Sequence, residues 1–283
     1  MKKGLSFLLC FISTFSIYSQ PDTGKEEQRL LAEGKRLYRS EMASWYGADI
    51  FMAQAQDQGF IGGYFSYPDG DSTRCIFYSK GSTPRVIGTI VFDSTFRTTS
   101  ATSDLLPREF TPLEKDLYTL RTLSGAIVNN DTLFKAYENT QLNLIPVIDG
   151  TERNVYILTG SQQTGFVIFG NDYLLRFDET DHLTEKKKLH HDMFITDYRK
   201  KGQKGAEQVG SMHTHLPETG EFITATDICT LMLYERFTKW KQYVVAGPAY
   251  LSIWDCEKDH LLIISKEAME KIRKDQNPLP LPR

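Results

Sequence analysis

The sequence predicts an α+β protein, and three features carry that reading. A long segment of helical periodicity lies near the start, a capping signal stands at Thr111–Glu114, and short apolar or aromatic runs bounded by turn residues fill much of the rest.

Taken in order, residues 21–24 read as a linker. Lys25–Tyr46 reads as a helix, because Leu30, Leu31, Leu37, Tyr38 and Met42 recur near helical spacing among charges. Phe60–Tyr67 and Cys75–Tyr78 are predicted to form a hairpin about Pro68-Asp69-Gly70-Asp71. Lys80–Pro84 turns into a further strand, Arg85–Phe92. Thr111 can cap a helix whose first turn holds Pro112 and Glu114; it should run to about Ile127 and stop at Asn129-Asn130-Asp131. A second short helix is expected over Leu133–Glu138.

Thr140–Gly150 is read as the division between two halves. The expected organisation is a leader at 1–20, an N-terminal α+β domain at 21–145 and a second domain at 146–283. In the second, Val155–Leu158 reads as a buried strand ended by Gly160. Phe166–Phe169 and Tyr173–Phe177 read as a hairpin about Gly170-Asn171-Asp172. A polar segment, His182–His191, and a loop at Gly202–Gly205 follow. A strand carrying two histidines leads to a helix from about Ala225 to Lys239. Tyr243–Val245, Tyr250–Ile253 and Leu261–Ile264 are predicted strands. Ser265 opens a last helix to about Arg273, and the proline-rich tail from Asn277 should be loose.

A chain of 283 residues with 40% apolar content can bury a substantial core. A net charge of −3 and the absence of a basic stripe argue against a nucleic-acid surface. Lys186-Lys187-Lys188 is short and follows acidic residues, so a solvated strand edge or loop is the natural reading. Lys2 and Lys3, the apolar run Leu5–Ile17 and the close at Ser19-Gln20-Pro21 read as a secretory signal peptide. The run is too short to span a membrane comfortably. Two leucines before Cys10 fit a lipoprotein signal poorly. The expectation is an exported protein, periplasmic or extracellular, with no transmembrane segment once the leader is removed. Removal takes away two lysines and no acid, so the net charge moves from −3 to −5. Cys75, Cys229 and Cys256 remain, an odd number, and are expected to be buried free thiols.

The most informative stretch is Val209–Phe237. His213 and His215 stand two apart on a predicted strand, so both imidazoles point the same way. Pro217 follows, and Thr224-Ala225-Thr226-Asp227 opens the next helix, where a carboxylate can complete the face. Two imidazoles and one carboxylate suit Zn²⁺ and leave a fourth position for water. The same T-x-x-D is equally an ordinary helix N-terminus, with Thr224 as cap. His190-His191-Asp192 offers further donors, but neighbours on a strand face opposite ways, which argues against a second metal patch. The chain holds no G-x-S-x-G elbow, no Walker loop and no G-x-G-x-x-G.

The order H-x-H, proline, then T-x-x-D resembles the JAMM (JAB/MPN) metalloprotease motif, H-x-H-P followed by S-x-x-D. Leu216 is an extra residue before Pro217, and Thr224 stands where the family has serine. The resemblance covers the C-terminal half only. It implies a JAB/MPN-like mixed sheet flanked by helices, with His213, His215 and Asp227 as zinc ligands. It also implies an upstream glutamate as general base, for which Glu152, just before a strand that ends at Gly160, fits better than Glu179, Glu185 or Glu207. Thr224 would then donate to the oxyanion. The implied chemistry is zinc-dependent hydrolysis of peptide or amide bonds in a peptide or protein substrate. The alternative is a non-catalytic binding or structural envelope protein that keeps a degenerate form of the same fold.

Overall fold

The computed structural model describes residues 21–55, 57–200 and 208–276. The expected signal peptide with Cys10, the Gly202–Gly205 loop, Glu207 and the tail from Asn277 lie outside the described residues. The protein is a mixed α+β molecule with several sheets and four helices among those residues.

Helix α1 runs over Thr23–Gln54, where Asp22 caps it by accepting from the Lys25 N–H at 3.3 Å. The segment read as a linker is therefore the helix start, and the helix outlasts Tyr46 by eight residues. At 1.5 Å per residue it is about 48 Å long. Its buried stripe of Leu30, Leu37, Met42 and Phe51 meets both halves of the molecule. Two glycines permit the close approach. A Cβ on Gly34 would lie 2.5 Å from Ile228 Cγ2, and one on Gly47 would lie 2.8 Å from Cys75 Cβ.

Strands β1 (Ile61–Asp69), β2 (Ser72–Ser79), β3 (Val86–Phe92) and β4 (Thr102–Asp104) form an antiparallel sheet in that order. Phe51 of α1 stacks on Phe77 of β2, with ring centroids 3.9 Å apart. Helix α2 (Pro112–Asn130) has the expected capping box. Thr111 Oγ1 accepts from the Glu114 N–H, and Glu114 returns a bond to the Thr111 N–H while Arg108 grips its carboxylate from 2.6 and 2.8 Å. The expected helix at Leu133–Glu138 is absent: the segment runs through turns to Asn139, whose φ of 60° is left-handed.

β5 (Thr140–Asp149) pairs along its whole length with β6 (Glu152–Ser161), so the division expected at residue 145/146 falls inside a strand rather than a linker. β7 (Phe166–Gly170) and β8 (Tyr173–Phe177) follow. They are not the expected hairpin. Gly170 and Asn171, both at positive φ, send the chain from one sheet to another. β8 pairs with β6 and with β9 (Leu183–Lys188), giving the order β5-β6-β8-β9, whereas β7 pairs with β10 (Met193–Asp197). The three lysines of β9 do lie on an edge strand.

The last sheet joins β11 (Gly210–Thr214), β12 (Gln242–Ala246), β13 (Tyr250–Asp255) and β14 (His260–Ser265) in chain order. β11 and β12 are parallel, linked through α3 (Ala225–Thr238), and α4 (Lys266–Gln276) closes the described chain. One core cluster unites Leu37 of α1, Cys75 and Phe77 of β2, Leu158 of β6 and Cys229 and Leu233 of α3. Cys75, Cys229 and Cys256 are buried and free. No helix among the described residues is long and apolar enough to cross a membrane.

Candidate metal centre

Alternation along β11 sets the first two donors. Met212 and Thr214 face solvent while His213 turns inward, and His215, one residue past the strand, keeps the ladder through its N–H to Ala246 O at 2.9 Å. The third donor comes from the first turn of α3, where Asp227 is wholly buried. The fourth is His190, in the loop after β9, also buried. The donor atoms of His190, His213, His215 and Asp227 all lie within 4.8 Å of one another. Three predicted ligands therefore converge, joined by one that the sequence reading set aside. The expectation that His190 and His191 face apart holds, but His190 is the one that turns into the site. His191 is exposed beside Asp192.

Four of the separations are close to those a single small cation needs, and the whole set lies within 4.8 Å. A tetrahedron with bonds of about 2.0–2.1 Å has edges of about 3.3–3.4 Å. The separations are 3.0 Å for His190 Nε2 to Asp227 Oδ1 and 3.0 Å between the Nε2 atoms of His213 and His215. Those from His213 Nε2 and His215 Nε2 to the Asp227 carboxylate are 3.6 and 3.5 Å.

Each ring turns Nε2 inward and Nδ1 outward to a polar partner. His215 Nδ1 lies 2.8 Å from Phe222 O, a pure acceptor, so the proton sits on Nδ1 and the Nε2 lone pair faces the cluster. His213 Nδ1 meets the Tyr243 hydroxyl at 3.1 Å. His190 Nδ1 faces Asp172 Oδ2 at 3.6 Å, a charge contact too long for a direct hydrogen bond. Asp172 is itself held by the Thr159 N–H at 2.8 Å. Carboxylate or carbonyl partners behind histidines are what a metal centre needs to fix ring orientation.

The electrostatics agree. Burial alone would raise the Asp227 pKa, but His190 and His213 outweigh it and hold the carboxylate ionised. Burial pushes His213 down to about 4 and also lowers His215, so both rings are neutral at pH 7, the form a metal ligand needs. For His190 burial opposes the charge, yet Asp227 prevails and the pKa is raised. Burial pushes Asp172 up to about 7. A divalent cation set against Asp227 and ionised Asp172 would leave the buried cluster near neutrality.

The chain matches no family model, no curated protein and no solved structure.

The site therefore speaks through its own geometry. Glu152 is not brought to it. It opens β6 on the exposed side, and β6 runs unbroken for seven residues to Thr159, behind Asp172. That is about 23 Å at 3.3 Å per residue. Thr224 does reach the site, in another role. Its hydroxyl lies 2.7 Å from Asp227 Oδ2, and its N–H donates to the same oxygen at 2.9 Å, completing the α3 capping box. Both readings of T-x-x-D thus hold together: the cap fixes the carboxylate that faces the histidines. The hydroxyl is spent on that carboxylate rather than offered as an oxyanion donor.

Proposed function

We propose that His190, His213, His215 and Asp227 hold one zinc ion in a closed, four-ligand site, and that the ion ties the loop after β9, the end of β11 and the start of α3 together. On this reading the chain is an exported, non-catalytic protein with a JAB/MPN-like arrangement. The observation that carries it is His190, a fourth donor 3.0 Å from Asp227 Oδ1 where a catalytic zinc would keep a place for water. The order of β11, α3 and the parallel β12, with H-x-H at the strand end and Asp227 in the first helical turn, supports the JAMM-like part. Three nitrogens and one oxygen favour zinc over calcium or magnesium, which take oxygen donors.

Zinc at about a thousandfold over its Kd adds about 4 kcal/mol of stability, roughly 10 °C in a chain of this size. Thermal unfolding of zinc-loaded and chelator-treated protein, with an amide-hydrolysis assay on each, tests the proposal. A chelator-reversible rise in melting temperature without hydrolysis is expected. Metal-dependent hydrolysis lost in Asp227→Asn would overturn the non-catalytic reading.

That outcome would favour the second reading, a zinc-dependent peptide or amide hydrolase. One observation leans its way. The His213 side chain is 11% exposed, while those of His190, His215 and Asp227 are 5%, 1% and 0%, so solvent approaches the cluster from one side.

A further inference from the structure

A cavity of about 470 Å³ lies between α1, β5, β6 and α3, apart from the metal ligands. Its volume is in the range of small-molecule sites. Glu41 of α1 lines it, and its one hydrogen bond among the described residues is from Asn143 Nδ2 at 2.8 Å. Arg121 also lines the cavity but is committed to the main chain, through Nε to Tyr64 O at 2.7 Å and Nη1 to Leu144 O at 3.4 Å. Aromatic rings share the cavity wall with this carboxylate. Tyr64 and Tyr234 line the same cavity as Glu41. Trp45, one helical turn on from Glu41, sits 6.3 Å from the Tyr234 ring between centroids.

We propose that this cavity binds a ligand bearing an ammonium group, with Glu41 as counter-ion and Trp45, Tyr64 and Tyr234 as the aromatic walls. The Glu41 carboxylate is half-buried with one hydrogen bond, so a cation or a proton would stabilise it, and without a ligand burial pushes its carboxyl up to about 7 although Asn143 and Arg121 oppose the rise. Arg121 offsets part of the charge from a distance, but its N–H groups are turned to Tyr64 O and Leu144 O, so among the described residues no cation donates directly to Glu41, and a neutral or anionic ligand would leave that place unfilled. A metal ion would find one carboxylate and one amide, too few donors for calcium or magnesium. An ammonium brings three donors for Glu41 and a charge for the ring faces. Beyond the carboxylate, the side-chain amides of Gln141, Gln162 and Gln163 line the cavity without hydrogen bonds among the described residues, and they suit a polar body behind the ammonium.

Trp45 is 42% exposed while Trp240 and Trp254 are buried, so its fluorescence reports on this wall. The full chain is titrated at pH 8 and constant ionic strength with n-pentylammonium, with n-pentanol, with the dipeptide Leu-Ala and with its N-acetyl form. The expected result is a fluorescence change, absent in Trp45→Phe, with a Kd on the order of 1 mM for the amine. The alcohol and the acetylated dipeptide should bind at least tenfold more weakly, and Glu41→Gln should lose at least tenfold. Tighter binding of the dipeptide assigns a peptide amino terminus as the source; tighter binding of the alkylamine assigns a free amine. Equal binding of amine and alcohol in the wild type, or no binding of either ammonium compound, would overturn the proposal. That comparison needs no variant to fold, and a Glu41→Gln protein that melts normally yet binds as well as wild type would overturn it too.

Discussion

His190 Nε2 and Asp227 Oδ1 lie 3.0 Å apart, both buried, although 37 residues separate them in the chain. One comes from a loop beyond an edge strand and the other from the first turn of α3. In the metal-free protein a proton on His190 faces ionised Asp227. A divalent cation would take that proton's place while drawing in His213 and His215.

Removing His190 should therefore have two effects. Zinc affinity should fall at least about 100-fold in His190→Ala, measured by competition with a chromophoric chelator. The metal-free protein should also lose about 3–5 kcal/mol, because Asp227 is left as a buried charge without the histidine nearest to it. An unchanged zinc affinity would remove His190 from the ligand set.

The groups behind the ligands should matter in a graded way. Asp172→Asn and Tyr243→Phe leave the four donors in place but loosen the His190 and His213 rings. Each should weaken zinc binding by about 10–100-fold while the circular dichroism spectrum stays that of the wild type. No loss in either would show that ring orientation is set by packing alone.

Thr224 separates a capping role from a catalytic one. Thr224→Ala should cost about 1 kcal/mol through the lost cap and should lower zinc affinity by freeing Asp227 Oδ2. Thr224→Ser, which keeps the hydroxyl, should restore both. Denaturant unfolding with and without zinc reads the two effects separately.

Glu41 gives a pH dependence of definite sign. Its carboxyl is raised to about 7 in the folded protein against an ordinary value of 4.5. Between these values the folded chain keeps a proton that the unfolded chain has lost, so stability is fully present below about pH 4.5 and falls as pH rises towards 7. The shift corresponds to at most about 3–4 kcal/mol. Asp172 contributes in the same direction. Glu41→Gln should flatten the decline in melting temperature between pH 5 and 8 relative to wild type. A parallel decline in both proteins would show that the Glu41 carboxyl does not carry it.

Much of this was legible in the sequence where the governing contacts are local. The Thr111–Glu114 box, the inward pair His213 and His215, and Asp227 at a helix start all follow from spacing within one or two elements. What escaped depends on long-range placement. His190 and His191 read as strand neighbours of opposite facing, but they lie beyond β9. There Leu189 binds its N–H to Asp172 O and both Leu189 and His190 turn inward. A cue was present in the apolar Leu189 breaking a charged run, yet nothing local linked it to residue 227. Gly170-Asn171-Asp172 looked like a hairpin turn, and its left-handed backbone is real. It was the sheet switch that could not be seen, and with it the packing of Asp172 behind His190. Glu152 was placed by strand proximity in sequence, whereas β6 carries it to the far end from the cluster.

Native mass spectrometry of the full chain equilibrated with zinc tests the central claim most directly. Four side chains converging on one point predict a single tightly held zinc ion per chain, absent in His213→Ala and Asp227→Asn variants that still fold. A wild-type chain that remains metal-free, or variants that hold zinc as firmly, would contradict it.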